Sequence, residues 1–246
     1  MGMIQALETN GLLQILLLTL MAGLAMPLGA AIASVERIRP RWLETEVRHS
    51  VIAFGGGALL AAVALVLVPE GTSNLPVAAI VACFAAGGIT FMFLDRWLAA
   101  NGTPASQLVA MLSDFVPEAL ALGATFSISS EGGVLLACII ALQNVPEGFN
   151  SYRELAQATG YRRLQVIGGF GAMALLGPVA GAVGYFLLSD SPQVVSGIML
   201  FAAGGILYII FQDIAPQASL KRHWAPPLGA LAGFLLGVIG EAVLSG

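Results

Sequence analysis

The sequence predicts an all-α membrane protein of eight transmembrane helices, and three observations predict it. Of 246 residues, 58% are hydrophobic and 10% are charged. The mean hydropathy is +0.89, and the apolar residues run in long blocks with no strand-like alternation. A soluble domain carries about a quarter of its residues as Asp, Glu, Lys or Arg, so this chain has too few charges to coat a water-facing surface. A soluble enzyme is excluded on that ground, disorder because it needs low hydrophobicity and high charge, and a transmembrane barrel because it needs alternation. At roughly 30 residues for a span and its loop, a hydrocarbon core about 30 Å thick leaves room for about eight helices in one polytopic domain. The net charge of −4 rests on few groups and does not point to a nucleic-acid partner.

The eight apolar segments fall at about 11–35, 49–69, 76–98, 106–128, 133–150, 164–188, 193–215 and 226–244. The first has no preceding Lys or Arg, whereas a cleaved signal needs a positive leader, so it reads as a retained helix. Glycines cluster within the spans, as at Gly55-Gly56-Gly57 and Gly204-Gly205, where small residues let membrane helices approach closely. Cys83 and Cys138 lie in apolar runs without metal-ligand spacing and are expected to be small buried residues.

Basic residues set an expected orientation. Arg37, Arg39, Arg41 and Arg48 lie at the first loop, Arg96 at the third, Arg153, Arg162 and Arg163 at the fifth, and Lys221 and Arg222 at the seventh. The even-numbered loops and both ends have none, which places odd loops in the cytoplasm and both termini outside the cell membrane, the inner membrane in a Gram-negative bacterium.

An internal repeat accompanies that pattern. Met26-Pro27-Leu28-Gly29-Ala30 is echoed by Gly177-Pro178-Val179-Ala180-Gly181, 151 positions later. Phe54-Gly55-Gly56-Gly57 through Val68-Pro69 is echoed by Phe201-Ala202-Ala203-Gly204 through Ala215-Pro216, 147 positions later. The expected topology makes the two triplets run in opposite directions around helices 4 and 5. This is a 3+2+3 inverted repeat of helices 1–3 and 6–8, an arrangement used by secondary transporters.

The central pair carries the unusual chemistry. Helix 4 has Asp114 and Glu118, and helix 5 has Gln143, Asn144 and Glu147. Ionisable groups within a bilayer are costly and mark functional sites by default. Asp114 and Glu118 are spaced i, i+4, as are Gln143 and Glu147, so each pair shares one helix face. Pro117 and Pro146 precede the glutamates and obstruct the carbonyls four residues earlier, those of Ser113 and Leu142. Two such faces turned together would offer carboxylates, amide oxygens and loose carbonyls, an oxygen-rich cation site. The competing reading is a pair of protonated glutamates that fasten helix 4 to helix 5. Glu70 and Asp213 lie near opposite helix ends and are candidates for an entrance or exit. Asp95, beside Arg96, reads as interfacial, and His49 and His223 as surface residues.

Asp114-Phe-Val-Pro-Glu-Ala-Leu-Ala-Leu-Gly123 and Gln143-Asn-Val-Pro-Glu-Gly148 resemble the helix 4 and helix 5 motifs of the ZIP (Zrt/Irt-like) divalent-metal transporters. The resemblance extends to Ala-Gly-Leu-Ala-Met-Pro-Leu-Gly29, Leu-Val-Pro-Glu70, Phe-Leu-Asp-Arg96 and Phe-Ala-Ala-Gly-Gly-Ile-Leu-Tyr208. It implies a primary metal site of Asp114, Glu118, Gln143 and Glu147 with Asn144 beside it, elevator-like motion and a homodimer in the lipid bilayer. The metal is then a transported substrate and not a cofactor: zinc, iron(II), manganese or cadmium. The chain departs from the family where Asp114 stands for the usual His, Phe115 for Asn and Ala119 for Gly, and where Gly177 stands for the acid or His of many relatives. A second adjacent metal site is therefore expected to be absent. An oxygen-only site discriminates less for zinc over manganese or iron(II) than one with imidazole, and its binding weakens as the carboxylates protonate.

The expected function is a non-enzymatic secondary transporter carrying a divalent transition metal into the cytoplasm between helices 4 and 5. The alternatives are a degenerate relative that binds metal as a sensor or structural ion without transport, and an intramembrane enzyme. Against the last, the chain lacks H-E-x-x-H, G-x-S-x-G and any His near the acids, and no nucleotide-binding motif points to ATP coupling.

Overall fold

A computed structural model describes residues 2–35, 41–101, 104–128, 130–188, 191–219 and 223–244. Side chains are described for the same residues except 2–10, 41–44, 101, 104–110, 113, 114, 128, 154, 157, 158, 187, 188 and 244. The described regular elements are all helical. They are α1 (Gly2–Val35), α2 (Arg41–Ala61, continuing through Ala62–Leu67 and Val68–Thr72), α3 (Val77–Asn101), α4 (Pro104–Ile128) and α5 (Ser130–Ala158). There follow α6 (Arg163–Ala174 and Leu176–Leu188), α7 (Pro192–Ile209, continuing through Ile210–Ile214 and Ala215–Ala218) and α8 (Ala225–Leu244). Seven of these contain segments long and apolar enough to cross a membrane, and in α4 the apolar stretch is the shorter Phe115–Ser127. The chain is thus an all-α, multi-span membrane protein.

Prolines account for most departures from regular helix. In α2 the stretch Ala62–Leu67 is a π-helix, and the Val68 N–H donates to the Val63 carbonyl, five residues back. In α7 the stretch Ile210–Ile214 is a π-helix, and the Ala215 N–H donates to the Ile210 carbonyl. Each wide turn is followed by one residue and then a proline, Pro69 or Pro216. A proline ring clashes with the carbonyl four residues earlier, and widening the turn relieves that clash within a continuous helix. In α6 the same conflict between Pro178 and the Ala174 carbonyl is resolved by a break. Leu175 leaves the helix, and its N–H turns back to Ala172 at 3.2 Å. The sequence reads α6 as one segment and does not show that break. Pro27, Pro117 and Pro146 lie inside continuous helices.

Four helix pairs dominate the packing: α1 with α5, α2 with α8, α3 with α7, and α4 with α6. All four cross through glycines that leave backbone against backbone. A side chain at Gly57 would strike the Ala230 carbonyl, and one at Gly233 the Phe54 carbonyl. In α3 and α7, Gly204 lies on the Phe84 carbonyl and Gly87 on that of Phe201. In α1 and α5, Gly29 lies on Val145 and Gly148 on Met26; in α4 and α6, Gly184 lies on Leu120 and Gly123 on Gly181. With little difference in polarity between lipid tails and side chains, close packing is what holds such helices together.

These contacts repeat at fixed intervals. The α2 positions 54 and 57 recur in α7 147 residues later, and the α3 positions 84 and 87 recur in α8 146 residues later. Positions 26 and 29 of α1 recur in α6 155 residues later, and 120 and 123 of α4 recur in α5 25 residues later. For α2 and α7 this is the interval of the sequence echo. For α1 and α6 it differs from the echo of 151 by one helical turn. Small residues every fourth position look alike after a one-turn slip, so the sequence alone does not fix the register.

α2 and α5 are central and α3 and α8 peripheral: 61% of the spanning windows of α2 and α5 are buried, against 11% for α3 and 17% for α8. The core around the central pair holds Met111, Phe115, Leu122, Leu136, Ile139 and Ile140. Cys138 is exposed on the outside of α5 and Cys83 is partly buried, which corrects the expectation that both are buried. The apolar run around Cys138 reflects contact with lipid, which sequence does not distinguish from a protein core.

Candidate functional site

α4 and α5 bring Glu118 and Gln143 together. Both side chains are 3% exposed, and Gln143 Nε2 donates to Glu118 Oε1 at 2.5 Å. The remaining oxygens, Glu118 Oε2 and Gln143 Oε1, are buried without a hydrogen-bond partner among the described residues. Leaving a buried polar atom unsatisfied costs about 1–3 kcal/mol, more when it is charged, so two orphaned oxygens side by side call for an explanation. By the 25-residue interval of the helix crossings, Glu118 and Gln143 hold equivalent positions on α4 and α5, so the pair meets at the centre of the repeat.

One turn along α5, Glu147 is partly exposed to a cavity of about 340 Å³. Gln143 and Glu147 line its head, with Asn150 and Ser151 further along α5. Asp95 of α3 and Asp213 and Gln217 of α7 also line it, and most of its lining residues lie toward the helix ends that adjoin the odd-numbered loops. Asn150 Oδ1 is another buried acceptor without a partner among the described residues. Asp95, read from sequence as interfacial, lines the cavity, where Tyr208 of α7 donates its hydroxyl to Asp95 Oδ2 at 3.0 Å. Its neighbour Arg96 suggests an interfacial acid, while its partner Tyr208 comes from a helix far away in sequence.

Asn144 is 1% exposed and faces another way. Its Nδ2 donates to the Ala22 carbonyl of α1 at 2.9 Å, and it does not line the cavity. Asp114 lies within helical backbone, but its side chain is outside the described residues. Of the five residues singled out in the sequence, the structure places Gln143 and Glu147 on the cavity wall, joins Glu118 to Gln143, and turns Asn144 toward α1. Among the described residues no group of three or more His, Cys, Asp or Glu side chains is placed to hold a metal ion.

The two histidines have local partners. His223 Nδ1 lies 2.7 Å from Glu46, and His49 Nδ1 donates to the Thr45 carbonyl at 2.6 Å. Asn150 and Gln217 were missed by sequence reasoning. Asn150 follows Glu147 by three residues and Gln143 by seven, so one further step along the same helix face would have found it.

The opposite end is closed. Val66, Leu67, Leu122 and Met199 are each no more than 3% exposed. Beyond them lies a cavity of about 110 Å³ lined by Glu70, Ser73, Asn74, Thr125 and Ser196. Polar groups therefore line a cavity toward each end of the bundle, and Leu122, one turn beyond Glu118 on α4, is buried between Glu118 and Thr125 of the smaller one.

No protein-family model matches the chain. Over 120 residues it is 30% identical to the zinc transporter zipt-7.1 of Caenorhabditis briggsae, a match covering 46% of this chain and 30% of that protein. The chain thus spans less than a third of the length of the curated relative it matches.

Proposed function

We propose that this protein is a secondary transporter of divalent transition-metal ions, with Glu118, Gln143 and Glu147 as its central ligands. The observation that carries the reading is the buried Glu118–Gln143 contact, whose two spare oxygens have no partner among the described residues and whose Gln143 lines a polar cavity together with Glu147. An isolated carboxylate in such a place is costly, and a cation is the natural partner for it. The similarity to a zinc transporter supports the substrate class, as does the resemblance to the ZIP motifs. Asp114, one turn before Glu118, is the fourth ligand in this reading, and Asn144 acts from beside the site by tying α5 to α1.

The repeating contacts and the paired wide turns support an inverted repeat of α1–α3 and α6–α8 around α4 and α5. The backbone crossings pair α1 with α5, α4 with α6, α2 with α8 and α3 with α7, and in this reading α1, α4, α5 and α6 form one group and α2, α3, α7 and α8 the other. Movement of the first group against the second would carry the central site from one side to the other. With the odd-numbered loops in the cytoplasm, the cavity of about 340 Å³ is the cytoplasmic exit.

The test is flux into liposomes. Glu118→Gln and Glu147→Gln preserve size but remove the charge that offsets cation dehydration, so uptake of zinc or manganese should fall to background while helical content and elution volume stay unchanged. Transport by either variant at the wild-type rate would overturn the site. Binding by the wild type without flux would favour a sensor.

A further inference from the structure

The small cavity at the closed end is more than a surface dent, because the helix repeat relates it to the open cavity. Applying the intervals of the helix crossings, Gln217 corresponds to Glu70, Asn150 to Thr125 and Ile52 to Met199. The first of each pair lines the open cavity and the second lines the small one. The closed end is therefore the collapsed counterpart of the open one, with a carboxylate where the open end has an amide.

Its chemistry suits a cation. Thr125 is 2% exposed, lines the cavity, and its hydroxyl has no hydrogen-bond partner among the described residues. Across from it, Ser196 donates to the Glu70 carbonyl at 3.3 Å and receives Asn74 Nδ2 at 3.2 Å. Asn74 Nδ2 also reaches Ser73 Oγ at 2.7 Å, and Ser73 donates to the Glu70 carbonyl at 2.6 Å. These bonds tie the end of α2 to α7 and hold Glu70 at the rim. The volume of about 110 Å³ has room for about three waters at 30 Å³ each, enough for an ion that retains part of its hydration shell.

We propose that Glu70 and Thr125 form a receiving subsite, where a divalent cation binds with part of its water before the apolar layer opens toward Glu118. The subsite rests on the transport reading, and it assigns Glu70 the task of capturing substrate and Thr125 that of replacing one lost water. Glu70 acts on capture and not on the central site, so its loss affects the apparent affinity more than the maximal rate.

Manganese ion is the probe, used both for flux into liposomes and for direct binding to the solubilised full chain, followed by the loss of the free-ion paramagnetic signal. Glu70→Gln should raise KM roughly tenfold, the loss of one charged contact, with kcat held within about twofold. Thr125→Val should raise KM by a smaller factor in the same direction. In the binding assay the wild type should show two classes of site, of which Glu70→Gln removes one and Glu118→Gln the other. If Glu70→Gln and Thr125→Val retain wild-type KM and both classes of site, the receiving subsite is wrong. If instead Glu118→Gln transports at the wild-type rate, the central reading fails, and the binding assay still decides whether Glu70 holds an ion.

Discussion

The two ends of this bundle are built from corresponding parts and end in opposite states. Toward the odd-numbered loops, Glu147 and Asn150 of α5 face a polar cavity. At the other end, the same 25-residue interval puts Leu122 and Thr125 of α4 in their places, with Leu122 fully buried. Glu118 and Gln143 lie at the division and touch each other. The repeated backbone contacts are alike at both ends, so the fold itself does not choose which end opens. That choice rests on side chains: acids and amides admit water on one side, and Val66, Leu67, Leu122 and Met199 exclude it on the other.

The strongest challenge to this comparison is at the glycine crossings. Gly57→Val and Gly204→Val each force a side chain onto an opposing carbonyl, at Ala230 and Phe84. Overpacking of this kind costs on the order of 3 kcal/mol, so both variants should lose yield and melt earlier. Because the crossings correspond, the two losses should be similar by thermal unfolding in detergent. A variant that is harmless in one pair and ruinous in the other would break the equivalence.

A second measure compares water access. In a chain lacking Cys83 and Cys138, Ala99→Cys on the cavity wall should react with a water-soluble maleimide at least tenfold faster than Ala121→Cys, which is 0% exposed. A tenfold protection corresponds to an opening cost of about 1.4 kcal/mol. Equal rates would mean that the closed end is open for much of the time. In sealed vesicles, cysteines at Thr159 or Ser219 should be shielded from an impermeant reagent outside, and cysteines at Ser73 or Ser191 should react. The reverse result would invert the orientation.

Selectivity gives a smaller effect. Asp114→His would add an imidazole to an oxygen-rich site, and imidazole favours zinc over manganese. The zinc-to-manganese flux ratio should therefore rise in competition within the same liposomes. An unchanged ratio with flux retained would remove Asp114 from the ligand set. The smallest change is expected at Tyr208→Phe, which deletes the hydrogen bond to Asp95 across α3 and α7. A cost of about 1 kcal/mol should appear as a slightly lower melting temperature with flux retained.

What the sequence makes legible here follows from which forces act locally. The lipid environment imposes composition residue by residue, so apolar blocks reveal a multi-span helical protein. An i, i+4 interval is a property of one helix, and it places Gln143 and Glu147 on one face before any packing is known. Asn144 is adjacent in sequence but about 100° round the helix from Gln143, and only the neighbouring α1 shows that its amide meets the Ala22 carbonyl. Asp95 depends on Tyr208, 113 residues away. A break at Leu175, wide turns in α2 and α7, and unbroken helix at Pro27, Pro117 and Pro146 are three outcomes of proline in a helix, and the proline itself does not tell them apart.

Those wide turns also bear on angular phase. A π turn is an α-helix carrying one surplus residue, and each residue of helix advances the chain by about 100° about its axis. Removing one residue from Ala62–Leu67 would return that stretch to regular α-helix, with Gly57 still seated on α8 and the residues beyond still facing as they do. Gly71 would stay against Leu200, and Glu70 would stay on the wall of its cavity. The same count of residues separates Gly57 from Pro69 and Gly204 from Pro216, so α2 and α7 keep the same phase between crossing and proline. Single-residue deletions within these stretches are therefore ones the two helices can absorb, while an equal deletion in a regular helix turns everything beyond it by about 100°.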